Sequence, residues 1–375
     1  MRLLLPVALF LLALVAQSAA AQAPPPAVAA RSWLLLDFNA GQAIAGQAEN
    51  ERSEPASLTK LMSAYLVFEA LREKRIALDQ AVPVSEKAWR MGGARTFIEP
   101  RRQVTVDELL HGMIVQSGND ATVALAELVA GSEEAFAQLM NRAAKRLGLK
   151  DTNFVNATGW PDQSHYSTAR DLATLAAALI REFPERYQLY AQKEFHYNNI
   201  TQQNRNRLLW LDPNVDGVKT GHTEAAGYCL IASAKRGQRR LISVVLGTKS
   251  DSLRAQESQK LLNYGFQFYD SVRLYEKEQP ISTLRVWKGD RNEVKAALPE
   301  DVYLVLPKGD AEKIKAEFVS RQPLIAPVNA GQPVGTLRLT LDGKAVGEHT
   351  AVALESVPLA GVFGRLWDTM RLWFN

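Results

Sequence analysis

The sequence predicts a mixed α/β (α+β) protein with two domains and a helical tail. Three observations lead there. Up to about residue 275, long apolar stretches carry helix-capping signals and alternate with short strand-like runs. From Ile281 to Leu354 short apolar runs alternate with Gly, Pro and Asp turns, the texture of an all-β unit. From Leu359 onward apolar residues recur at helical spacing. A length of 375 residues accommodates this plan. With 47 % hydrophobic and 22 % charged residues the composition is globular, which excludes a disordered, collagenous or multi-span membrane chain as a description of the whole.

At the N-terminus, Arg2, the apolar run Leu3–Val15 and Gln17-Ser18-Ala19-Ala20-Ala21 form the three parts of a secretory signal peptide, residues 1–21, cut after Ala21. The apolar run is too short to span a bilayer comfortably. Residues 22–30, with Pro24-Pro25-Pro26, read as a flexible lead-in.

The first domain is expected over 31–275. Ser32–Asn39 is strand-like, and Ala40-Gly41 is a turn. Leu58–Leu71 is long and apolar enough for a buried helix. Thr105-Val-Asp-Glu108 is a capping box that opens a helix up to about Gln116. Ser117-Gly118-Asn119 interrupts it, and Ala121–Ala130 continues as the next helix. Thr168-Ala-Arg-Asp171 reads as a second capping box before Leu172–Phe183. Phe195–Tyr197, Tyr228–Ala234 and Arg240–Thr248 are strand candidates, and Asp251–Tyr269 closes the domain as a helix. In the second domain, 276–355, strands are expected at Leu284–Trp287, Val302–Leu306 and Thr336–Leu341, forming a small sandwich. The tail, 356–375, is expected as an amphipathic helix.

Charge and metal chemistry narrow the function. Lys plus Arg is 44 and Asp plus Glu 40, a net charge of +4 with no basic stripe, so no nucleic acid is expected as partner. Cys229 is the single cysteine, which excludes an intramolecular disulfide and a cysteine zinc site; it reads as a small buried hydrophobe. The five His residues show no ligand-pair spacing. No metal and no cofactor are expected.

Three short motifs carry the chemistry: Ser57-Leu58-Thr59-Lys60, Ser117-Gly118-Asn119 and Lys219-Thr220-Gly221. Each is weak alone, but each occurs once, in this order, and each sits in a fitting context. Ser57 and Lys60 are three apart, so one helical turn puts them on one face. Free N–H groups at a helix start suit a developing oxyanion. A lysine serves as base near neutrality when burial beside a second cation lowers its pKa, and Lys219 is the expected cation. Ser117 is placed to relay a proton. Asn119 offers an amide to Lys60 and to a substrate peptide group. Thr220 offers a hydroxyl to a carboxylate, and Gly221 lets a substrate backbone lie along the strand edge. Glu194-x-x-x-Asn198 has the outline of a deacylating loop but falls in a strand-like stretch, and reads as coincidence.

The three motifs together are the signature of penicillin-recognising serine acyl-enzymes. The chain from about residue 30 to 375 resembles the low-molecular-mass penicillin-binding proteins, serine D-alanyl-D-alanine carboxypeptidases of the type 5/6 group, peptidase family S11. The resemblance lies in Pro55-Ala-Ser-Leu-Thr-Lys-Leu-Met62, His165-Tyr-Ser-Thr-Ala-Arg-Asp171 and Ile200-Thr-Gln-Gln-Asn-Arg-Asn206. It continues through Asn214-Val-Asp-Gly-Val-Lys-Thr-Gly-His-Thr223 and Arg240-Leu-Ile-Ser-Val-Val245. It implies a serine β-lactamase/DD-peptidase-like catalytic domain that removes the terminal D-alanine from peptidoglycan stem pentapeptides, with β-lactams as covalent inhibitors. Ser57 would be the nucleophile, Lys60 the general base and Ser117 the relay. Lys219 and Thr220 would contact substrate, the N–H groups of Ser57 and His222 would form the oxyanion hole, and Arg254 would lie near the terminal carboxylate. One departure is local. Some relatives have a His directly before the serine at 167, where this chain has Tyr166 with His165 one earlier, so a role for that His does not carry over.

Rival readings are a β-lactamase, a DD-endopeptidase and a non-catalytic wall-binding protein or sensor. The first needs a deacylating base that the sequence does not offer. The second typically lacks the β-domain and tail. A sensor needs a transmembrane segment, and the mature chain shows none. In the tail, Leu359, Val362, Phe363, Leu366, Trp367, Met370, Trp373 and Phe374 fall on one face, with Arg365, Asp368 and Arg371 off it. Residues 358–375 are therefore expected to lie on the cytoplasmic membrane surface, facing the wall from the periplasmic side, as the resemblance also implies.

Overall fold

The computed structural model describes residues 24–372, and the signal segment 1–21 and Trp373–Asn375 lie outside the described residues. A five-stranded antiparallel sheet organises the first domain. Its strands are β1 (Ser32–Asp37), β2 (Gln42–Gln47), β3 (Val215–Thr223), β4 (Gly227–Arg236) and β5 (Arg239–Thr248), in the order β2-β1-β5-β4-β3. The N-terminal hairpin thus joins the three strands from the far end of the domain through the β1–β5 pair, and β3 forms an edge. The sheet separates two cores. On one side Leu34, Val218, Ile231 and Val244 pack with the helical body, and on the other Trp33, Leu35, Leu230 and Val245 pack with Leu261 and Leu262.

Helix α1 (Lys60–Arg72) runs through the first core, with Leu61, Met62, Tyr65 and Phe68 almost fully buried. Most of its circumference is buried, as expected of a helix surrounded by others, and only its C-terminal turn reaches the surface, where Glu69 pairs with Arg146. α2 (Asn119–Ala130) and α3 (Glu133–Arg146) pack beside it, α4 (Ala169–Glu182) covers the sheet, and α5 (Asp251–Phe268) backs the opposite face. The sequence reading missed α3, although Ser132 caps it through a bond from the Ala135 N–H. It also left out β2, and it placed Lys219-Thr220-Gly221 on a strand edge without giving the bounds of β3.

Two helix expectations change in detail. The Thr105 capping box is present, but the helix keeps regular geometry only over Val106–His111 and widens to a π turn over Gly112–Gln116. That extra residue per turn delivers Ser117 in a left-handed conformation (φ 68°, ψ 30°). Thr168 caps α4 by accepting from the Asp171 N–H, yet the box is not closed. The Asp171 carboxylate turns instead to the N–H groups of Lys150 and Asp151 and the Thr152 hydroxyl.

In the second domain the strands expected at Leu284–Trp287, Val302–Leu306 and Thr336–Leu341 lie within Pro280–Trp287, Val302–Pro307 and Pro333–Leu341. The first and third belong to a six-stranded sheet, whereas Val302–Pro307 pairs with Tyr269–Tyr275, a strand that follows α5 directly. The tail forms α6 (Val362–Leu372).

Candidate active site

Of the residues singled out in the sequence, Ser57, Ser117, Asn119, Thr220, Gly221, His222 and Arg254 line one cleft of about 1270 Å³, and Lys60 and Lys219 are buried. Ser57 lies in a 3₁₀ turn, Ala56–Thr59, that leads into α1. Residues three apart eclipse in a 3₁₀ turn, which is why Lys60 comes so close. Its Nζ donates to Ser57 Oγ at 3.0 Å and to the Thr158 carbonyl at 2.7 Å. Ala56 carries φ +48°, an uncommon conformation for a side-chain-bearing residue, held by the packing around it.

Lys60 is 1 % exposed, and its pKa falls to about 7. Burial is the main cause, and the Arg205 guanidinium the second; Asp120 and Glu133 oppose them. This corrects the expectation that Lys219 supplies the second cation. The repulsion between the two lysines falls on Lys219, whose pKa lies well below its ordinary value through burial, then Lys60, then Arg205 and Arg254. Lys219 Nζ donates to the Thr220 carbonyl at 3.1 Å.

Arg205 is the functional candidate that the sequence reading missed. It is exposed, lines the cleft, and has no hydrogen-bond or ion-pair partner among the described residues. Its field reaches Lys60, Lys219 and Arg254 together. The signal available was its place in Ile200–Asn206, which carried the resemblance without a role for any single residue.

Ser117 Oγ is buried and has no hydrogen-bond partner among the described residues. A buried hydroxyl left unpaired costs stability, so this one is held ready for a partner arriving in the cleft. Asn119 departs from expectation. Its Nδ2 donates to the Gly92 carbonyl at 2.7 Å, so the amide anchors the 92–94 turn and makes no bond to Lys60. Asp120, fully buried, pins the same region to α2 by accepting the N–H groups of Thr96 and Phe97, each at 2.8 Å.

Gly221 is bare for a reason that the sequence reading did not reach. A Cβ there would meet the Pro55 carbonyl oxygen at 3.0 Å and Leu58 Cγ at 3.2 Å. Glycine therefore lets β3 close on the turn that carries Ser57. Arg254 is 5 % exposed, donates to the Gly221 carbonyl at 3.2 Å and pairs with Asp251, which also takes Arg207 at 2.6 Å. The His222 ring is exposed and packs on Tyr228, with centroids 4.0 Å apart.

His165 sits behind the site. One ring nitrogen shares a hydrogen bond of 2.9 Å with Thr59 Oγ1, and Nδ1 accepts from the Val155 N–H at 3.3 Å. Burial pushes its pKa down to about 4, so it is neutral across the physiological range. Glu194 and Asn198 fall on the hairpin Glu194–Gln203 and do not line the cleft. Among the described residues the cleft carboxylates are Glu224 and Asp251, and Asp251 is occupied by its two arginines.

Comparison with known proteins gives the family. Residues 17–250 match the family Peptidase_S11, described as D-alanyl-D-alanine carboxypeptidase, and residues 269–359 match the penicillin-binding protein 5 C-terminal domain. The chain is similar to D-alanyl-D-alanine carboxypeptidase DacC of Escherichia coli, with 44 % identity over 98 % of this chain and 94 % of the relative. It is 38 % identical to DacF of Bacillus subtilis over 92 % of this chain and 90 % of the relative. The crystal structure of penicillin-binding protein 5 from Haemophilus influenzae superposes with a TM-score of 0.87 at 40 % identity, covering 89 % of this chain and 99 % of that one.

Proposed function

The chain belongs to the D-alanyl-D-alanine carboxypeptidase family S11 of serine peptidases, and on that basis we propose that it trims the terminal D-alanine from peptidoglycan stem pentapeptides through an acyl-enzyme on Ser57. The observation that carries this reading is the 3.0 Å contact between Ser57 Oγ and a Lys60 amine whose pKa is near 7. Neutral Lys60 takes the Ser57 proton as Oγ attacks the carbonyl of the penultimate residue. The N–H groups of Ser57 and His222 hold the oxyanion. The proton passes through Ser117 to the departing D-alanine nitrogen as the C–N bond breaks. Water then adds to the ester, and its cleavage returns the proton to Ser57. The terminal carboxylate is received by Thr220, Arg254 and the free guanidinium of Arg205. In a peptide of the diacetyl-L-Lys-D-Ala-D-Ala type, the enzyme should release one free D-alanine per peptide, and Ser57→Ala should release none. Release by Ser57→Ala at a rate within tenfold of wild type would end the assignment.

The same proposal puts the enzyme outside the cytoplasm, on the periplasmic surface of the inner membrane, in the service of wall biogenesis. α6 supports the membrane part. Phe363 is 90 % exposed, and Val362, Leu366, Trp367 and Met370 are also exposed, whereas Asp368 turns inward and accepts the Lys288 N–H at 2.6 Å. Trp and Phe beside Arg365 and Arg371 suit an interfacial helix. Among the described residues no helix is long and apolar enough to cross a membrane. With anionic liposomes the mature chain should float with lipid, and a chain lacking Pro358–Asn375 should stay at the bottom with undiminished peptide hydrolysis. Equal flotation of both would refute the anchor.

A further inference from the structure

We propose that Trp160 is a specificity-determining wall of the cleft, which receives the long aliphatic side chain of the residue that precedes D-Ala-D-Ala. The proposal rests on the carboxypeptidase reading and deepens it.

The placement of Trp160 is rigid. Its N–H donates to Asn156 Oδ1 at 3.0 Å, and its carbonyl accepts from Asn156 Nδ2 at 2.9 Å. Two residues earlier, the Thr158 carbonyl holds Lys60. Between them, Gly159 (φ +82°) lies so close to the Ser57 turn that a Cβ would sit 1.8 Å from the Ala56 carbonyl oxygen. The loop cannot swing away without disturbing the base. Yet the indole itself is 49 % exposed and lines the cleft. A fixed backbone that presents a half-bare aromatic surface binds at low entropic cost.

The surroundings define what the ring can receive. Its far edge rests on two consecutive glycines: a Cβ at Gly92 would be 3.2 Å from Trp160 Cη2, and one at Gly93 would be 3.4 Å from Cζ3 and 2.8 Å from Asn119 Nδ2. Trp160, Gly93 and Asn119 thus form one continuous surface. The cations at the other side of the site are Lys219 on β3, Arg254 on α5 and Arg205, which follows the Glu194–Gln203 hairpin, while Arg207 is taken by Asp251. A peptide whose carboxylate meets those cations, and whose scissile carbonyl meets Ser57, carries its acyl part away from Lys219 and across Asn119 and Trp160. No arginine or lysine stacks on the indole among the described residues, so its open surface is left to the methylenes of a long side chain.

The test compares kcat/KM for diacetyl-L-Lys-D-Ala-D-Ala and acetyl-Gly-D-Ala-D-Ala. Wild type should prefer the lysyl peptide by about tenfold. Trp160→Ala should lose about tenfold on the lysyl peptide and less than about twofold on the glycyl one, which abolishes the preference. Bocillin acylation reports whether the Lys60 anchor has survived the change. Should it be lost in Trp160→Ala, Trp160→Leu decides in the same way, with an expected fall in the preference of about threefold. An unchanged ratio of the two peptides, whether both rates fall together or neither does, overturns the proposal. Failure of the wild type to release D-alanine from either peptide would instead overturn the carboxypeptidase reading.

Discussion

Lys60→Arg should abolish acylation of Ser57, lowering its rate by at least about 10³-fold, although the substitution keeps the charge. A guanidinium does not lose its proton near neutrality, so it cannot accept one from serine, and positioned proton transfer is worth about 10²–10⁴ in rate. The larger head group also has to fit where Lys60 now meets Ser57 Oγ and the Thr158 carbonyl. The pH profile separates a base from a mere cation. In the wild type the neutral amine is the reactive form, and it predominates above the pKa of about 7. The acylation rate should therefore be level above that pH and fall about tenfold per unit below it. The residual rate of Lys60→Arg should lack this inflection. Stopped-flow acylation by bocillin between pH 5 and 9 reads both; an arginine variant with near-normal rate would show that Lys60 acts only through its charge.

Gly159→Ala should be the most damaging small substitution outside the three motifs. At φ +82° a side chain is strained, and here the Cβ would overlap the Ala56 carbonyl oxygen at 1.8 Å and approach Thr59 Oγ1 at 2.8 Å. The oxygen belongs to backbone, so the loop or the Ser57 turn has to shift. Either movement loosens the Thr158 carbonyl from Lys60 and leaves a buried polar group without its partner. Strain and lost bond together should cost about 3–5 kcal/mol. In thermal unfolding that amounts to a fall in Tm of roughly 6–12 °C, with acylation slowed at least about a hundredfold. A variant that melts within about 2 °C of wild type and acylates normally would show that the loop is not coupled to the base.

The sequence carried the polar constellation further than it carried the frame around it. Ser57, Lys60, Ser117 and Lys219 were legible because serine–lysine spacing and motif order are local. The capping signals at Thr105, the apolar run of α1 and the all-β texture after Ile281 were local too. β3 was legible only as the strand edge that carries Lys219-Thr220-Gly221, and its extent was not. Val215–Thr223 is polar, and it is buried because it faces the catalytic turn, a context no alternation of residue types reveals. The same holds for the source of the Lys60 shift. Arg205 is over 140 positions from Lys60, and only the folded cleft brings its field to bear. The bareness of Gly221 follows from the approach of Pro55 and Leu58, again a contact between distant segments. Asn119 was chosen correctly as a cleft residue, but its hydrogen bond goes to Gly92, a partner defined by the 92–98 turn that Asp120 pins to α2.

The central claim is that Ser57 forms a covalent acyl-enzyme which outlasts the reaction with a penicillin. Intact-mass spectrometry after bocillin treatment, followed by peptide mapping, tests it most directly. The account predicts one adduct of the full bocillin mass on the peptide containing Ser57-Leu58-Thr59-Lys60, persisting over minutes in the wild type and absent from Ser57→Ala. An adduct that survives Ser57→Ala, or one that maps to another residue, would contradict it.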